Sequence, residues 1–240
     1  MNYFLFTQFE PTDFQNVEFS TVLGQEFKCI IVVGSEKEYD ESTGTRHWQP
    51  APDDKILAEQ INKKMKEKHG IEFAIEDDKE VSKRPELLKN NHLILMGGTR
   101  INKLARDIIV SFPLQYTRSD NSDNIYSRIS EDIFAGHGYG LLQSIKSPFA
   151  NDKIIVSVFG PELEGTEATV KILCGKIDGS ISEEEMRNKY DKNYPAKVIK
   201  IVTKEELEKT KMMLHISKSY VKKMKVKPAI STLKNNNIHG

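Results

Sequence analysis

The fold of this chain is decided by one stretch, His92-Leu93-Ile94-Leu95-Met96-Gly97-Gly98-Thr99-Arg100-Ile101-Asn102. Its first five residues form a short apolar run, which is typical of a strand buried on both faces. The two glycines allow a sharp turn. Apolar residues then recur at helical spacing at Ile101, Leu104, Ala105, Ile108 and Ile109. The stretch therefore predicts a strand, a glycine turn and an amphipathic helix, the repeating unit of an α/β fold.

Two further apolar runs, residues 27–33 and 153–159, repeat this arrangement. The first run ends at Gly34-Ser35, and the second ends at a longer glycine turn that leads into a helix predicted from Thr166. The second run also follows a strand predicted at residues 139–145 after a short connection, which favours an antiparallel hairpin.

The segments around these units are less regular. Residues 35–52 are polar and rich in turn-forming residues, so they predict a loop, after which Asp53 or Asp54 caps a helix that ends at Gly70. Residues 197–202 alternate with lysine and predict an edge strand. A long basic helix and tail are predicted after it.

Together these elements predict an α/β fold, a Rossmann-like three-layer sandwich with a mostly parallel sheet, an inserted hairpin and a C-terminal helical extension. We expect an N-terminal extension at residues 1–26, the α/β domain at 27–203 and the basic helix and tail at 204–240.

Composition narrows the function classes. The chain has 240 residues, 38% of them apolar, and its 35 basic residues balance 35 acidic ones, which disfavours nucleic acid and anionic membranes as partners. No apolar stretch reaches transmembrane length, and the N-terminus lacks signal-peptide features. Cys29 and Cys174 have no metal-type spacing and are predicted to be buried free thiols. These features predict a cytoplasmic protein.

The first glycine turn is the better candidate for a ligand site. Gly97 and Gly98 let the backbone approach a ligand, Thr99 can cap the following helix, and Arg100 adds a cation beside the helix start. We include Asn102 in this predicted anion site. Gly34 and Ser35, which follow the first strand, are expected to join it at the carboxyl edge of the sheet. The alternative is that the glycines only turn the chain.

The second turn offers Gly160, Gly165 and Thr166 as further ligand-binding residues, since Thr166 can cap a helix. Glu162 and Glu164 in the same loop would repel a phosphate unless they point away or hold a metal. If the two turns lie on neighbouring strands, they face one crevice. The alternative is a pair of ordinary connecting loops.

Other chemical groups have simple structural interpretations. His137 lies between turn glycines, and the histidines show no zinc-ligand spacing. The acidic runs Asp53-Asp54 and Glu76-Asp77-Asp78 could serve acid–base chemistry or a divalent ion, although a helix start and a solvated turn explain them as well. Trp48 follows Arg46 and His47 and either marks a binding surface or pins a loop. The lysine-rich C-terminus either contacts an acidic partner or is a solvated face.

Residues 27–175 resemble the α/β domain of archaeal S-layer-like proteins. The resemblance rests on the strand and Gly97-Gly98-Thr99 turn with Asn102, on the Ser147-Pro148-Phe149 segment after a strand, and on the strand ending at Gly160 before Gly165-Thr166. This chain has Thr99 and Ser147 where the family tends to have Pro and Asn. The resemblance implies a non-catalytic module that packs, binds or senses.

A second resemblance is to enzymes that hydrolyse cytokinin-type nucleoside monophosphates, whose Pro-Gly-Gly-x-Gly-Thr turn is matched here by Gly165-Thr166. The first hypothesis is therefore a non-catalytic module that binds a small anionic ligand or a protein partner. The alternative is a nucleotide-binding or nucleotide-processing enzyme, in which Arg100 and Thr166 contact phosphate and Glu167 or His137 acts as acid or base. The sequence leaves the identity of any cofactor open.

Overall fold

The computed structural model describes residues 3–10, 28–40, 45–119, 122–128, 131–135, 138–180 and 196–202. For residues 3–10, 37–40, 45–48, 118, 119, 122, 135, 176, 196, 197, 200 and 202 it describes the backbone alone. The chain divides into a unit of Phe4–Ile201 and a unit of Met1–Tyr3 with Val202–Gly240. The first unit is described below. His137 and the predicted C-terminal helix and tail lie outside the described residues, and the predicted domain boundaries stay predictions.

The strands in the described residues are β1 (Tyr3–Glu10), β2 (Cys29–Val33), β3 (Ser35–Asp40), β4 (Thr45–Pro50), β5 (Ala74–Asp77), β6 (His92–Met96), β7 (Leu114–Ser119), β8 (Ser122–Ser127), β9 (Ile133–Ala135), β10 (Tyr139–Lys146), β11 (Ile154–Phe159) and β12 (Ala196–Val202). The helices are α1 (Pro52–His69), α2 (Asp78–Ser82), α3 (Pro85–Asn90), α4 (Lys103–Asp107) and α5 (Leu163–Asp178), with one 3₁₀ turn at Ile109–Ser111.

The main sheet has the strand order β1-β12-β10-β11-β6-β2-β5. Strands β5, β2, β6 and β11 run parallel, whereas β10 runs antiparallel to both of its neighbours, β11 and β12. Among these six strands β10 alone is reversed, so the sheet is mostly parallel. The predicted α/β class and the hairpin of β10 with β11 are confirmed.

The two faces of the sheet carry separate apolar cores because successive strand residues point to opposite sides. One core joins Ile31, Ile94 and Val156 with side chains of α1 and α5. The other joins Ile30, Leu93 and Ile155 with side chains of α2, α3 and α4. Burial on both faces explains why the central strands are continuous apolar runs.

Two local predictions were wrong. Residues 35–40 and 45–50 pair as the antiparallel strands β3 and β4, because the two polar segments satisfy their backbone groups by pairing with each other. Strand β12 lies between β10 and β1 instead of at an edge, and consecutive residues Val198 and Ile199 are both buried in it. Helix α1 does end at Gly70, whose left-handed φ of 70° makes the predicted C-cap.

Candidate functional site

The candidate site lies at the carboxyl ends of β2 and β6. After β2 the chain passes through α1 to β5, which lies on one side of β2. After β6 it continues toward β10 and β11, which lie on the other side. The connections after β2 and β6 therefore leave in opposite directions. In open α/β sheets, ligands bind at such a topological switch point.

The structure brings three of the predicted residues together there. The amide of Gly34 donates to Met96 O (3.2 Å), and the amide of Ser35 donates to Ile101 O (3.2 Å). Asn102 is fully buried, and its Nδ2 donates to Val32 O (3.2 Å) and to Met96 O (2.9 Å). One amide side chain thus ties the ends of β2 and β6 to the first glycine turn.

The predicted cap of the following helix was wrong. Asn102, and not Thr99, is the N-cap of α4, where its Oδ1 accepts from Ala105 N at 3.0 Å. Gly98 O accepts from Ile101 N (3.1 Å) and Asn102 N (2.9 Å), so a tight turn closes first and the helix begins only at Lys103. The amide of Lys103 donates to Asp78 Oδ2. The amides of Lys103 and Ala105, both in the first turn of α4, therefore donate to side-chain oxygens of the chain itself.

A buried hydroxyl joins two carboxylates beside this turn. Ser35 is 2% exposed, and its Oγ contacts both Asp77 Oδ2 and Asp78 Oδ1, between which its single proton is shared. Asp77 Oδ1 caps α2 by accepting from Lys79 N (2.8 Å) and Glu80 N (3.2 Å). Their oxygens are thus engaged by local donors, and this part of the crevice is negative rather than receptive to an anion.

Asp54 is a buried group beside this turn that the fold leaves unsatisfied. It lies in the first turn of α1, is 6% exposed, and its Oδ2 has no hydrogen-bond partner among the described residues. This oxygen faces Gly97, where an added Cβ would come within 2.7 Å of it. Burial, followed by the negative charges of Asp53 and Glu36, raises the pKa of Asp54 to about 6.

Asp53 and Asp54 were predicted to cap α1, and this prediction was wrong. The N-cap is Ala51, and Pro52 occupies the first turn without offering an amide hydrogen. Both acids stand inside the first turn, where carboxylates interact favourably with the helix dipole. Their sequence positions are similar, and only the fold distinguishes buried Asp54 from exposed Asp53.

Gly97 has a structural requirement of its own. Its φ of 85° lies in the left-handed region, which residues with a side chain rarely adopt. A residue with a Cβ here would also meet the Ile101 side chain at 2.7 Å. Position 97 therefore requires glycine for two reasons: its backbone conformation, and the space that the Asp54 side chain occupies.

Arg100 was predicted to face the ligand, but it is engaged elsewhere. Its side chain is 66% exposed, and its Nη1 lies 3.3 Å from Oδ2 of Asp123 in β8. Oδ1 of the same carboxylate accepts from the hydroxyl of Tyr116. Burial and the hydrogen bond to Asp123 raise the pKa of Tyr116 to about 12.

The second glycine turn follows β11, next to β6 in the sheet, so the two turns are neighbours as expected. Helix α5 begins at Leu163 with Glu162 as N-cap, so the prediction of Thr166 as a cap was wrong. Thr166 lies inside the first turns, and its Oγ1 accepts from Gly160 N at 2.9 Å. A Cβ on Gly165 would overlap Tyr139 O, and one on Gly160 would come within 2.6 Å of Gly165.

The other candidate groups are paired or buried. Glu167 lies 3.7 Å from Lys171 on α5, and Lys64 of α1 lies 3.1 Å from Asp178 of α5. Burial raises the pKa of Cys29 to about 12 and that of Cys174 to about 11, so neither thiol forms a ready thiolate. In the described part of the chain, no three His, Cys, Asp or Glu side chains converge as a metal site would require.

Comparisons with known proteins leave the interpretation to the site itself. No protein-family model matches the chain, and no curated protein matches it. Among the described residues, no helix is both long and apolar enough to cross a membrane.

Proposed function

We propose that this chain is a non-catalytic α/β module that binds a small ligand in the crevice between the ends of β2 and β6. Its helices and two apolar cores support a Rossmann-like three-layer arrangement, in which the switch point is the ordinary position for a ligand. The resemblance to archaeal S-layer-like domains also favours a module that binds or senses.

The observation that carries the proposal is the unpartnered Oδ2 of Asp54. Buried polar atoms in folded proteins almost always have a hydrogen-bond partner, and a buried carboxylate oxygen without one costs free energy. The neighbouring carboxylates are engaged by Ser35 and by backbone amides. A bound ligand would supply the hydrogen bond that Asp54 lacks.

The non-catalytic character is supported by the groups that could do chemistry. Arg100 pairs with Asp123, and Glu167 pairs with Lys171. The pKa of each of the two thiols is raised by burial, which lowers its nucleophilic fraction. Among the described residues, Glu167 is thus paired and the thiols are buried, whereas Asp54 is left as a recognition group.

The cellular compartment proposed from the sequence is the cytoplasm. Cys29 and Cys174 are both free thiols, Cys29 fully buried and Cys174 partly buried. Free thiols persist in a reducing compartment, which supports this placement.

A thermal-shift screen tests the proposal. Wild-type protein is scanned with nucleotides, carboxylates, amines and sugars, beside Asp54→Asn and the matched control Asp53→Asn. We expect one class to raise Tm by several degrees in the wild type and in Asp53→Asn, through ligand linkage, and much less in Asp54→Asn. The proposal fails if no class raises Tm, or if the protein turns over the ligand that it binds.

A further inference from the structure

We infer that the ligand of this crevice is an organic cation that presents a protonated amine to the free oxygen of Asp54. The inference rests on the proposed function, because it names the chemistry of the ligand at the same site. It concerns the atom Oδ2 beside Gly97 and the charges that surround it.

The missing partner must be a hydrogen-bond donor. An ionised carboxylate has only acceptor sites, so a second acceptor such as phosphate or carboxylate cannot satisfy Oδ2 of Asp54. Hydrogen bonds from a cation to a carboxylate are shorter and about twice as strong as those between neutral groups. A cationic donor therefore offsets the cost of burying this carboxylate better than a neutral donor does.

The charges around the site favour a cation as well. Asp53 and Glu36 both act on Asp54 through their negative charges. Two basic groups on elements beside the crevice are held by other acids: Lys103 Nζ lies 2.5 Å from Asp107, and Arg84 Nη2 lies 2.7 Å from Glu76. The negative charge at Asp54 is thus left for an external cation to balance.

An amine fits this site better than a metal ion does. Divalent ions take several oxygen ligands, and no three candidate side chains converge in the described residues. Asp77 and Asp78 use their oxygens on Ser35 and on the amides of Lys79 and Lys103. One free carboxylate oxygen matches one ammonium group.

Three probes of nearly equal size separate the charge of the ligand from its apolar bulk: n-butylammonium chloride, n-butanol and sodium valerate. Each is titrated into the full chain by calorimetry and thermal shift at constant ionic strength, using wild type, Asp54→Asn and Asp53→Asn. We expect n-butylammonium to bind wild type and Asp53→Asn, and to bind Asp54→Asn at least about tenfold more weakly, because a charge-assisted hydrogen bond is lost. Circular dichroism verifies that each variant is folded.

The outcomes separate the inference from the function on which it rests. If valerate or butanol binds as tightly as butylammonium and depends on Asp54, the crevice binds ligands but the inference of a cation is overturned. Equal butylammonium binding by Asp54→Asn and wild type also overturns it. If none of the probes binds and the wider screen raises no Tm, both the inference and the proposed function fail.

Discussion

The two glycine turns follow neighbouring strands, but they use their glycines differently. At the turn after β6, Gly97 adopts a left-handed φ of 85° and faces a carboxylate oxygen that has no partner among the described residues. At the turn after β11, Gly160 and Gly165 let backbone segments touch, and Thr166 accepts the amide of Gly160. The first turn leaves a binding group unsatisfied, whereas the second is closed by its own contacts.

This difference shows that a glycine turn alone does not define a ligand site. In each turn some amides donate to oxygens of the chain, those of Ile101 and Asn102 in the first and those of Gly160, Gly165 and Thr166 in the second, which leaves fewer donors for an anion. What distinguishes the first turn is the side chain of Asp54, which reaches it from α1. The following substitutions test the contrast between an open and a closed turn.

The largest effect is expected for Gly165→Ala in the closed turn. The new Cβ would overlap Tyr139 O, and since this atom belongs to the backbone of β10, helix α5 must move away from the sheet. We expect a loss of about 3 kcal/mol or more in the free energy of unfolding, measured by urea denaturation. Gly70→Ala is the control, because it meets no atom within 4 Å and costs only the strain of a left-handed residue, about 1 kcal/mol. Equal losses would mean that α5 and β10 are not in close backbone contact.

A smaller loss is expected for Asn102→Ala in the open turn. The substitution removes the cap of α4 and the hydrogen bonds to Val32 O and Met96 O, so we expect a loss of about 2–3 kcal/mol. Thr99→Ala, which removes no cap, should change stability by less than about 0.5 kcal/mol. A larger loss for Thr99→Ala than for Asn102→Ala would restore Thr99 as the cap.

Asp54→Asn should stabilise the ligand-free protein at high pH. The pKa of Asp54 is raised from the usual 3.8 to about 6, so the folded state binds this proton more tightly than the unfolded state. Stability is therefore lost as the pH rises from about 4 through 6, and removing the charge should recover about 2 kcal/mol above pH 7. The gain should vanish below about pH 4.

Urea denaturation of wild type, Asp54→Asn and Asp53→Asn across this pH range measures the effect. Asp53 is exposed and acts on Asp54 only through its charge, so its variant should show a small part of the gain expected for Asp54→Asn. A destabilised Asp54→Asn at pH 8 would show that Asp54 has a favourable partner in the free protein, contrary to the account given above.

The smallest effect is expected for Thr166→Val in the closed turn. The amide of Gly160 loses its acceptor, which should cost about 1–2 kcal/mol. Thr169→Val is the control. The Thr169 hydroxyl donates to a helix carbonyl, Gly165 O, so its removal leaves no backbone amide without an acceptor. If both variants lose the same stability, the hydrogen bond between Gly160 and Thr166 does not hold the turn closed.

Much of the fold could be predicted because burial on both faces leaves a local signal. Strand β2 is apolar at every position, and β6 and β11 each contain a single polar residue, His92 and Ser157. Gly70 marks the end of α1 by itself. The hairpin of β3 with β4 was missed because its strands are polar, and their stability comes from pairing that no short segment reveals. The interior position of β12 likewise depends on strands distant in sequence.

The position of the glycine turn could be predicted, but the groups that surround it could not. Glycines after the strands located the turn at Gly97, whereas the adjacent acids Asp53 and Asp54 look equivalent in sequence. Their difference comes from the packing of α1 against the end of β6, which buries one of them. The role of Asn102 also depends on tertiary contacts, because its amide joins carbonyls of two strands.

The most direct test of the account is a pH titration of the Asp54 carboxyl carbon by NMR, with and without saturating n-butylammonium. We expect a midpoint near pH 6 in the free protein, because the carboxylate is buried beside acidic groups. The bound amine should lower this midpoint, since a nearby cation favours the ionised form. A free-protein midpoint near the usual 3.8, or a midpoint that does not move when the amine is bound, would contradict an unpartnered carboxylate that recognises a cation.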